Sequence, residues 1–282
     1  MTPPLRGRTP PARKLHSSNI ALPKYSWRHR SITPALFYFT NHHEANAHLA
    51  RLPHGPIGFD LEWRPNIRKG QPENRVALVQ LATADTVILV HVHLMTQFPS
   101  QLAELLSSSS WIKAGVSIKY DCMKLYRDYG VSVQNCVELS LLARTVDNVR
   151  WKGKYTNPLG LARLIETYEQ ATLLKGRIQR SNWEQRLTVL QQEYAANDAH
   201  AGYAVYSRLL SMAQAIDPMP LPTYYSFSVV SGLLRDSSGL YPWQAHNPHY
   251  DPGPPPPPKP KNVDKDNQES NPDAVTSPQP IS

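Results

Sequence analysis

Apolar and polar positions follow two different patterns between residues 32 and 217. Short apolar runs typical of strands occur at 35–39, 56–62, 76–81, 86–90, 112–116 and 137–139. Apolar residues at helical spacing, every three or four positions, occur at 41–52, 101–106, 121–129, 159–168 and 187–214. Asn41 is a cap candidate for the first of these helices. Strands that alternate with helices in this way predict an α/β fold, with helices packed on a mixed sheet.

The short connection between two predicted strands excludes a purely parallel sheet. Only residues 82–85 separate the apolar runs 76–81 and 86–90, and so short a connection predicts a hairpin of antiparallel strands. The sequence has no glycine-rich phosphate loop after any predicted strand, so it gives no support for nucleotide binding of that kind.

Two acids close the apolar run 56–62. Asp60 and Glu62 are two positions apart, and side chains at that spacing in a strand lie on one face of the sheet. Carboxylates held so close repel each other, and a bound divalent cation removes the repulsion. An acid pair after a strand is more often a solvated turn, so the pair gains weight only from acids elsewhere.

Two further acids lie at suitable places. Asp121 follows the strand 112–116 at a helix start, where a helix cap or a partner of the helix dipole would also explain it. Asp198 lies on the last helix, four residues after Tyr194 and on the same face, among alanines that leave room for close packing. Oxygen ligands suit Mg²⁺ or Mn²⁺, and two such ions about 4 Å apart can clamp a phosphoryl displacement.

The segments around these acids resemble a known family. They are Phe59–Trp63, Gly115–Asp121 with Lys124 and Leu125, and Tyr194–Ala199. Together they resemble the three motifs of the DEDD superfamily of 3′–5′ exonucleases, in its tyrosine-bearing branch. The sister branch has a histidine five positions before the last aspartate, where this chain has Glu193.

Within that branch, the chain is most similar to the Werner-syndrome-type exonuclease domain. The similarity includes Ser181-Asn182-Trp183 before the third motif and Ala199–Gly202 within and after it, and it covers about residues 33–213. Ribonuclease D is a more distant relative, which normally carries an additional helical nucleic-acid-binding domain. The resemblance implies a ribonuclease-H-like mixed β-sheet with helices packed on both faces, of the DnaQ-like exonuclease type.

The resemblance also implies a mechanism. Asp60, Glu62, Asp121 and Asp198 would bind two Mg²⁺ or Mn²⁺ ions, and Tyr194 would hold the attacking water. The expected reaction releases 5′-mononucleotides stepwise from the 3′ end of a nucleic acid. DNA is the preferred substrate, structured RNA is the alternative, and a catalytically silent nucleic-acid-binding scaffold is a third hypothesis.

Six residues near the motifs are candidates for substrate binding: Leu61, Trp63, Met123, Lys124, Lys175 and Arg177. Met123 occupies a position where the Werner type often has an aromatic residue. A flexible methionine can still pack against a base, although it changes the strength of stacking.

Charge favours an acidic partner. The chain has 282 residues, a formal net charge of +8 and a pI near 9.4, which is typical of proteins that bind nucleic acid. Residues 1–31 contain no acid and are interpreted as a basic, disordered arm that binds a polyanion or directs nuclear import. A mitochondrial transit peptide is the alternative, but prolines near the start disfavour its helix.

The remaining predictions concern the C-terminal residues and the cellular setting. Residues 251–282 are rich in proline, are expected to be disordered, and are compatible with a proline-motif-binding partner. Residues 218–250 carry several aromatic side chains and either pack on the domain or bind a partner; a helicase partner is not identified by the sequence. Two cysteines indicate a reduced, intracellular compartment, and the absence of an apolar run of 18 residues predicts no membrane span.

Overall fold

The fold is seen in a computed structural model that describes residues 21–66, 68 and 70–255. Eight strands form one sheet within that part of the chain: β1 (Ala35–Phe39), β2 (Pro56–Glu62), β3 (Leu78–Ala82), β4 (Thr86–Val90), β5 (Ile112–Gly115), β6 (Val133–Glu138), β7 (Ser226–Val230) and β8 (Leu233–Arg235). The α-helices of the same residues are α1 (His42–Leu49), α2 (Ser100–Ser107), α3 (Ile118–Tyr129), α4 (Leu139–Val146), α5 (Leu161–Glu169) and α6 (Val189–Gln214).

The sheet is mixed, as predicted. Its strand order is β1-β4-β3-β2-β5-β6-β7-β8. The pairs β1–β4, β2–β5 and β5–β6 are parallel, whereas the other neighbours are antiparallel. The predicted hairpin is the pair β3–β4. The α/β, ribonuclease-H-like class expected from the sequence is therefore confirmed.

Alternation along β2 divides the core between the two faces of the sheet. Ile57, Phe59 and Leu61 are buried in one apolar cluster with side chains from α1, α2 and α3. The alternate residues of the strand, Gly58, Asp60 and Glu62, face the opposite side of the sheet, where α6 packs. One strand thus supplies both the apolar core and the two acids of the first motif.

Caps fix where two of the helices begin. The Asn41 side chain accepts hydrogen bonds from the backbone N–H groups of His43 and Glu44, as the sequence predicts for α1. Thr188 and Gln191 form a reciprocal capping box at the start of α6. The box sets the register of this 26-residue helix, and hence the positions of Tyr194 and Asp198.

Helix α6 lies unusually close to the sheet because two glycines face each other. A Cβ atom on Gly58 would lie 2.0 Å from the carbonyl oxygen of Ala199 and 2.6 Å from the amide nitrogen of Tyr203. A Cβ on Gly202 would lie 3.2 Å from the carbonyl oxygen of Ala114. Ala199 is one of the alanines predicted to allow a close approach, and its backbone carbonyl lies directly against Gly58 of β2.

The folded unit begins before residue 32, where the sequence analysis placed its start. Tyr25 and Trp27 belong to the segment interpreted as a basic arm, yet they are 6% and 1% exposed. The Tyr25 hydroxyl is 2.8 Å from Nδ1 of His200, and the backbone N–H of Trp27 donates to Asn197. Both aromatic rings pack on α6. The sequence analysis missed this contact because basic residues surround Tyr25 and Trp27 along the chain. Residues 1–20 of the predicted arm lie outside the described residues.

The folded unit also continues past residue 217. Strands β7 and β8 extend the sheet beyond β6, so the segment 218–250 packs on the domain. Trp243 is 9% exposed, and its indole N–H donates to the carbonyl of Thr223. Asp251, assigned to the proline-rich tail, pairs with Lys152 at 2.7 Å. The predicted disorder of the rest of that tail falls on residues 256–282, which lie outside the described part.

One helix was not predicted. Residues 137–139 were interpreted as a strand, whereas the structure ends β6 at Glu138 and begins α4 at Leu139. The Glu138 side chain accepts from the backbone N–H of Ser140 and so caps α4. Among the described residues, every helix is too short or too polar to cross a membrane.

The contact of α6 with β2 gives a test of packing. Gly58→Ala should destabilise the protein by about 3 kcal/mol or more, because the added methyl group meets backbone atoms that cannot rotate away. Gly55→Ala is the matched control, since a Cβ there meets nothing within 4 Å. Urea unfolding of both variants measures the difference, and equal stability of the two would contradict the close approach.

Candidate active site

A cavity of about 480 Å³ lies beside the last residues of β2. Its walls come from the end of β2, the start of α3, the middle of α6 and the loop before α6. The lining residues with polar or charged side chains are Asp60, Glu62, Ser117, Tyr120, Asp121, Lys175, Gln179, Arg180, Tyr194 and Asp198. The four acids and the tyrosine of the predicted site thus share one cavity, although they are distant along the chain.

Three of the acids lie within ligand distance of one another. Asp60, Glu62 and Asp198 each offer a carboxylate oxygen, and these oxygens all lie within 4.8 Å of one another. Asp121 borders the same cavity from the first turn of α3 without joining this trio. The trio arises because alternation puts two acids on one face of β2, and the close packing of α6 brings the third to them.

Burial makes these acids resist ionisation. Desolvation and the nearby charge of Asp198 raise the pKa of Asp60 from 3.8 to about 7. Burial, followed by the charge of Asp60, raises the pKa of Glu62 and that of Asp121 well above their ordinary values. Burial also raises the pKa of Asp198, and Lys175 opposes that rise. The cluster therefore gains stability from any cation that enters it.

Lys175 supplies a cation beside Asp198, one of the three acids of the trio. Its ammonium nitrogen lies 2.9 Å from both carboxylate oxygens of Asp198 and 3.4 Å from the hydroxyl oxygen of Tyr194. Asp198 is 2% exposed at its side chain, whereas Lys175 is 36% exposed and reaches in from the loop. The ammonium shows that the site accepts positive charge among oxygen ligands, the donor set that hard divalent cations prefer.

Tyr194 is held as a neutral phenol. It is 8% exposed and packs near Trp183, with ring centroids 6.0 Å apart. Burial raises the pKa of its hydroxyl, and the charges of Asp198 and Glu62 raise it further. The hydroxyl therefore keeps its proton, and it lies at the cavity wall where it can donate a hydrogen bond.

The turn before α3 is held by Glu138, a residue that the sequence analysis did not identify as part of the site. Ser117 has a left-handed backbone conformation with φ of 58°, which is uncommon outside glycine. Its N–H donates to the half-buried carboxylate of Glu138 at 3.0 Å, and that bond compensates for the strained conformation. Glu138 thereby fixes the turn that carries Asp121. The sequence offers no local signal for this contact, since the two partners lie on different elements.

The predicted substrate-binding residues separate into two groups. Trp63 and Lys175 present side chains at the cavity, and Leu61 borders it although its own side chain is buried in the core. Met123 and Arg177 do not belong to the lining, where Gln179 and Arg180 occupy the place expected for Arg177. The short 3₁₀ helix Arg177–Arg180 turns the later residues toward the cavity.

Lys124 has a structural role instead of the predicted substrate contact. It is 2% exposed, and its ammonium group pairs with Asp128 at 3.0 Å on the same face of α3. The same group donates to the carbonyl of Asn74 and lies 4.9 Å from the centre of the Trp63 ring. Lys124 therefore links the loop after β2 to α3 through its hydrogen bond to Asn74, and it contacts the face of the Trp63 ring.

Comparisons with known proteins agree with this geometry. A sequence profile of the 3′–5′ exonuclease family matches residues 37–214. A 3′–5′ exonuclease of Arabidopsis thaliana is 36% identical over 164 residues, which are 57% of this chain and 54% of that protein. The mouse bifunctional 3′–5′ exonuclease/ATP-dependent helicase WRN is 33% identical over 210 residues, covering 70% of this chain and 14% of that protein.

A solved structure shows the same fold. The catalytic core of RRP6 from Trypanosoma brucei superposes with a TM-score of 0.55 at 21% identity, covering 66% of this chain and 50% of that one. At that identity the likeness concerns the fold alone. The chain spans about half the length of the Arabidopsis relative and a much smaller share of the mouse protein.

The raised pKa of Asp60 predicts how stability depends on pH when no metal is present. Between the ordinary pKa of 3.8 and the folded value of about 7, the folded state binds a proton that the unfolded chain has released. Stability should therefore fall as pH rises through this window, and the raised pKa values of Glu62 and Asp121 should add to the fall. Asp60→Asn should flatten the fall in thermal unfolding scans with EDTA.

Asp236→Asn is the control for that experiment. Asp236 lies in an exposed turn, where a hydrogen bond from Ser238 lowers its pKa. Its removal should leave the fall in stability between about pH 5 and pH 7 unchanged. An unaltered pH profile in Asp60→Asn would contradict the assignment of the cluster.

The position of Lys175 predicts competition with divalent ions. Lys175→Met should bind Mn²⁺ about tenfold more tightly than the unmodified protein, because no ammonium group has to leave Asp198 first. Calorimetric titration measures this affinity directly. Lys152→Met is the control, since Lys152 pairs with Asp251 outside the cavity. Unchanged or weaker Mn²⁺ binding in Lys175→Met would show that the two cations do not compete.

Proposed function

Because the chain belongs to the 3′–5′ exonuclease family, we propose that it hydrolyses DNA from the 3′ end and releases 5′-mononucleotides one at a time. The observation that carries this proposal is the convergence of Asp60, Glu62, Asp121, Asp198 and Tyr194 on one cavity. A phosphodiester is an anion, and an uncompensated acidic cluster would repel it. The cluster is therefore suited to the substrate only when cations occupy it.

The trio Asp60, Glu62 and Asp198 would hold one divalent ion, and Asp121 with Asp60 would hold a second. Mg²⁺ and Mn²⁺ are the proposed ions, since the ligands are carboxylate oxygens. Bound there, such ions supply Lewis acidity toward water and toward the phosphate oxygens. The charge of Asp60 raises the pKa of both Glu62 and Asp121, which suits Asp60 as the ligand that the two ions would share.

Two other side chains would position the reactants: Tyr194 the attacking water, and Lys175 the phosphate. The neutral phenol of Tyr194 would donate to the attacking water and orient it toward the terminal phosphorus. Lys175, freed from Asp198 by the incoming ion, would pair with a phosphate oxygen. The water oxygen would join the phosphorus and release a proton to solvent, the bond from phosphorus to the 3′ oxygen would break, and that oxygen would take up a proton from solvent.

The proposed preference for DNA over RNA rests on the resemblance to the Werner-type domain alone, since the catalytic motifs do not separate the two substrates. Ser181-Asn182-Trp183 and the segment after Asp198 resemble the Werner-type domain, and the chain aligns with the mouse WRN protein over 210 residues. The net charge of +8 supports a polyanionic substrate of either kind. Nuclear localisation stays a prediction that rests on the basic residues of the segment 1–31, of which Arg6, Arg8, Arg13 and Lys14 precede the described part of the chain.

A cleavage ladder tests the activity and the substrate together. Matched DNA and RNA oligonucleotides, labelled at the 5′ end, are incubated with Mg²⁺, Mn²⁺ or EDTA. We expect DNA to shorten one nucleotide at a time with metal and to stay intact with EDTA. Faster shortening of RNA would reverse the substrate preference, and binding without shortening would favour the silent scaffold.

Glu62→Gln tests whether the cluster performs the reaction. The substitution removes one carboxylate ligand at nearly constant volume, and it should lower the rate of shortening by about 10²–10³-fold. Glu104→Gln on α2 is the matched control, because Glu104 is exposed and outside the cavity. Circular dichroism establishes that both variants fold. Equal rates in Glu62→Gln and the control would refute the assignment.

A further inference from the structure

A second cavity adjoins the acidic one. It has a volume of about 230 Å³, and it shares Ser117 and Tyr120 with the first cavity. We call it the side cavity, and its principal lining residues are Lys119, Tyr120, Glu138, Leu141, Trp243 and Ala245. Since Ser117 and Tyr120 flank the turn that carries Asp121, a strand bound at the acids passes close to this opening.

The inner wall of the side cavity is apolar and rigid. Phe227 on β7 is 1% exposed, and its ring centroid lies 5.0 Å from that of Trp243. The Trp243 indole is anchored by its 2.7 Å hydrogen bond to the carbonyl of Thr223. Leu141 of α4 closes the same wall. The cavity is therefore preformed, and the C-terminal segment beyond residue 217 builds much of it.

Polar groups occupy one side and the mouth. A single oxygen of the Glu138 carboxylate accepts from the backbone N–H groups of Ser117 and Ser140 and from the Ser140 hydroxyl. At the mouth, the Lys119 ammonium lies 4.7 Å from the centre of the Tyr120 ring, which is 66% exposed. The cavity thus combines an apolar wall and a polar edge with an exposed aromatic ring beside a cation.

We propose that the side cavity binds one nucleobase of the substrate strand, from a nucleotide upstream of the one being removed. This inference rests on the proposed exonuclease function. A base has apolar faces and a hydrogen-bonding edge, which match the Trp243 wall and the Glu138 side. A phosphate group is a poor match for the interior because the carboxylate of Glu138 lies there, whereas Lys119 at the mouth can pair with the backbone.

Size and position support a base as the occupant. Pockets for drug-sized ligands are usually about 300–1,000 Å³, so a cavity of about 230 Å³ suits a single ring system. Tyr120 stands between the two cavities, and the base that enters should therefore belong to one of the last few nucleotides. The site would distinguish an intact nucleotide from an abasic one, and the bound base would hold the strand in place during each cleavage step.

Abasic substitutions test this proposal. Single-stranded DNA oligonucleotides are made with one abasic nucleotide at each of the positions upstream of the 3′-terminal nucleotide. For the unmodified protein we expect one position at which loss of the base weakens binding and initial cleavage by about tenfold or more. Anisotropy with Ca²⁺ in place of Mg²⁺ measures binding with the acids neutralised, and single-turnover cleavage with Mg²⁺ measures the rate.

Ala245→Leu fills the side cavity without touching the acids. It should weaken binding of the intact oligonucleotide by a similar factor and remove the sensitivity to the abasic position. Ala204→Leu is the control, since Ala204 is also partly buried and lines a different cavity. If Ala245→Leu does not fold, Thr156→Phe at the exposed rim of the same cavity replaces it.

Two results would overturn the proposal while leaving the exonuclease function intact. One is cleavage by the unmodified protein that is equally fast on every abasic oligonucleotide. The other is a cavity-filling variant that folds and still discriminates against the abasic position. A protein that neither binds nor cleaves any oligonucleotide would instead refute the proposed function, and the side-cavity proposal with it.

Discussion

The contact between α6 and β2 determines whether this protein has a site at all. Gly58 lies directly beneath the carbonyl of Ala199, so the helix sits at a distance that no side chain would permit. Asp60 follows Gly58 by two residues, and Asp198 precedes Ala199 by one. The backbone contact and the carboxylate cluster are therefore neighbouring parts of one arrangement, and a small displacement of the helix would separate the acids.

The cluster that results is costly to the folded protein. Several carboxylates with raised pKa values face one another beside a tyrosine that cannot ionise. Lys175 relieves part of this repulsion from a loop, and it is exposed enough to leave. The apolar packing of α6 against the sheet has to offset the remainder. Such a conflict between local stability and charge is typical of sites that bind cations and react with phosphates.

Local patterns predicted much of this structure. Alternation placed Asp60 and Glu62 on one face, the short connection gave the β3–β4 hairpin, and Asn41 marked the start of α1. The features that were missed depend on partners far along the chain. Trp27 is buried against α6. Lys124 pairs with Asp128 of its own helix and with the carbonyl of Asn74 in the loop after β2. A lysine in a sequence carries no sign of which acid it will meet, so the place of Lys124 in the second motif was interpreted as a substrate contact.

Crystallography with Mn²⁺ tests the central claim most directly, because the anomalous signal of the metal locates it without reference to activity. We expect a peak about 2.1 Å from oxygens of Asp60, Glu62 and Asp198, with the Lys175 ammonium moved away from Asp198. A structure in which Lys175 remains on Asp198 and the only Mn²⁺ peaks lie outside this cavity would contradict it.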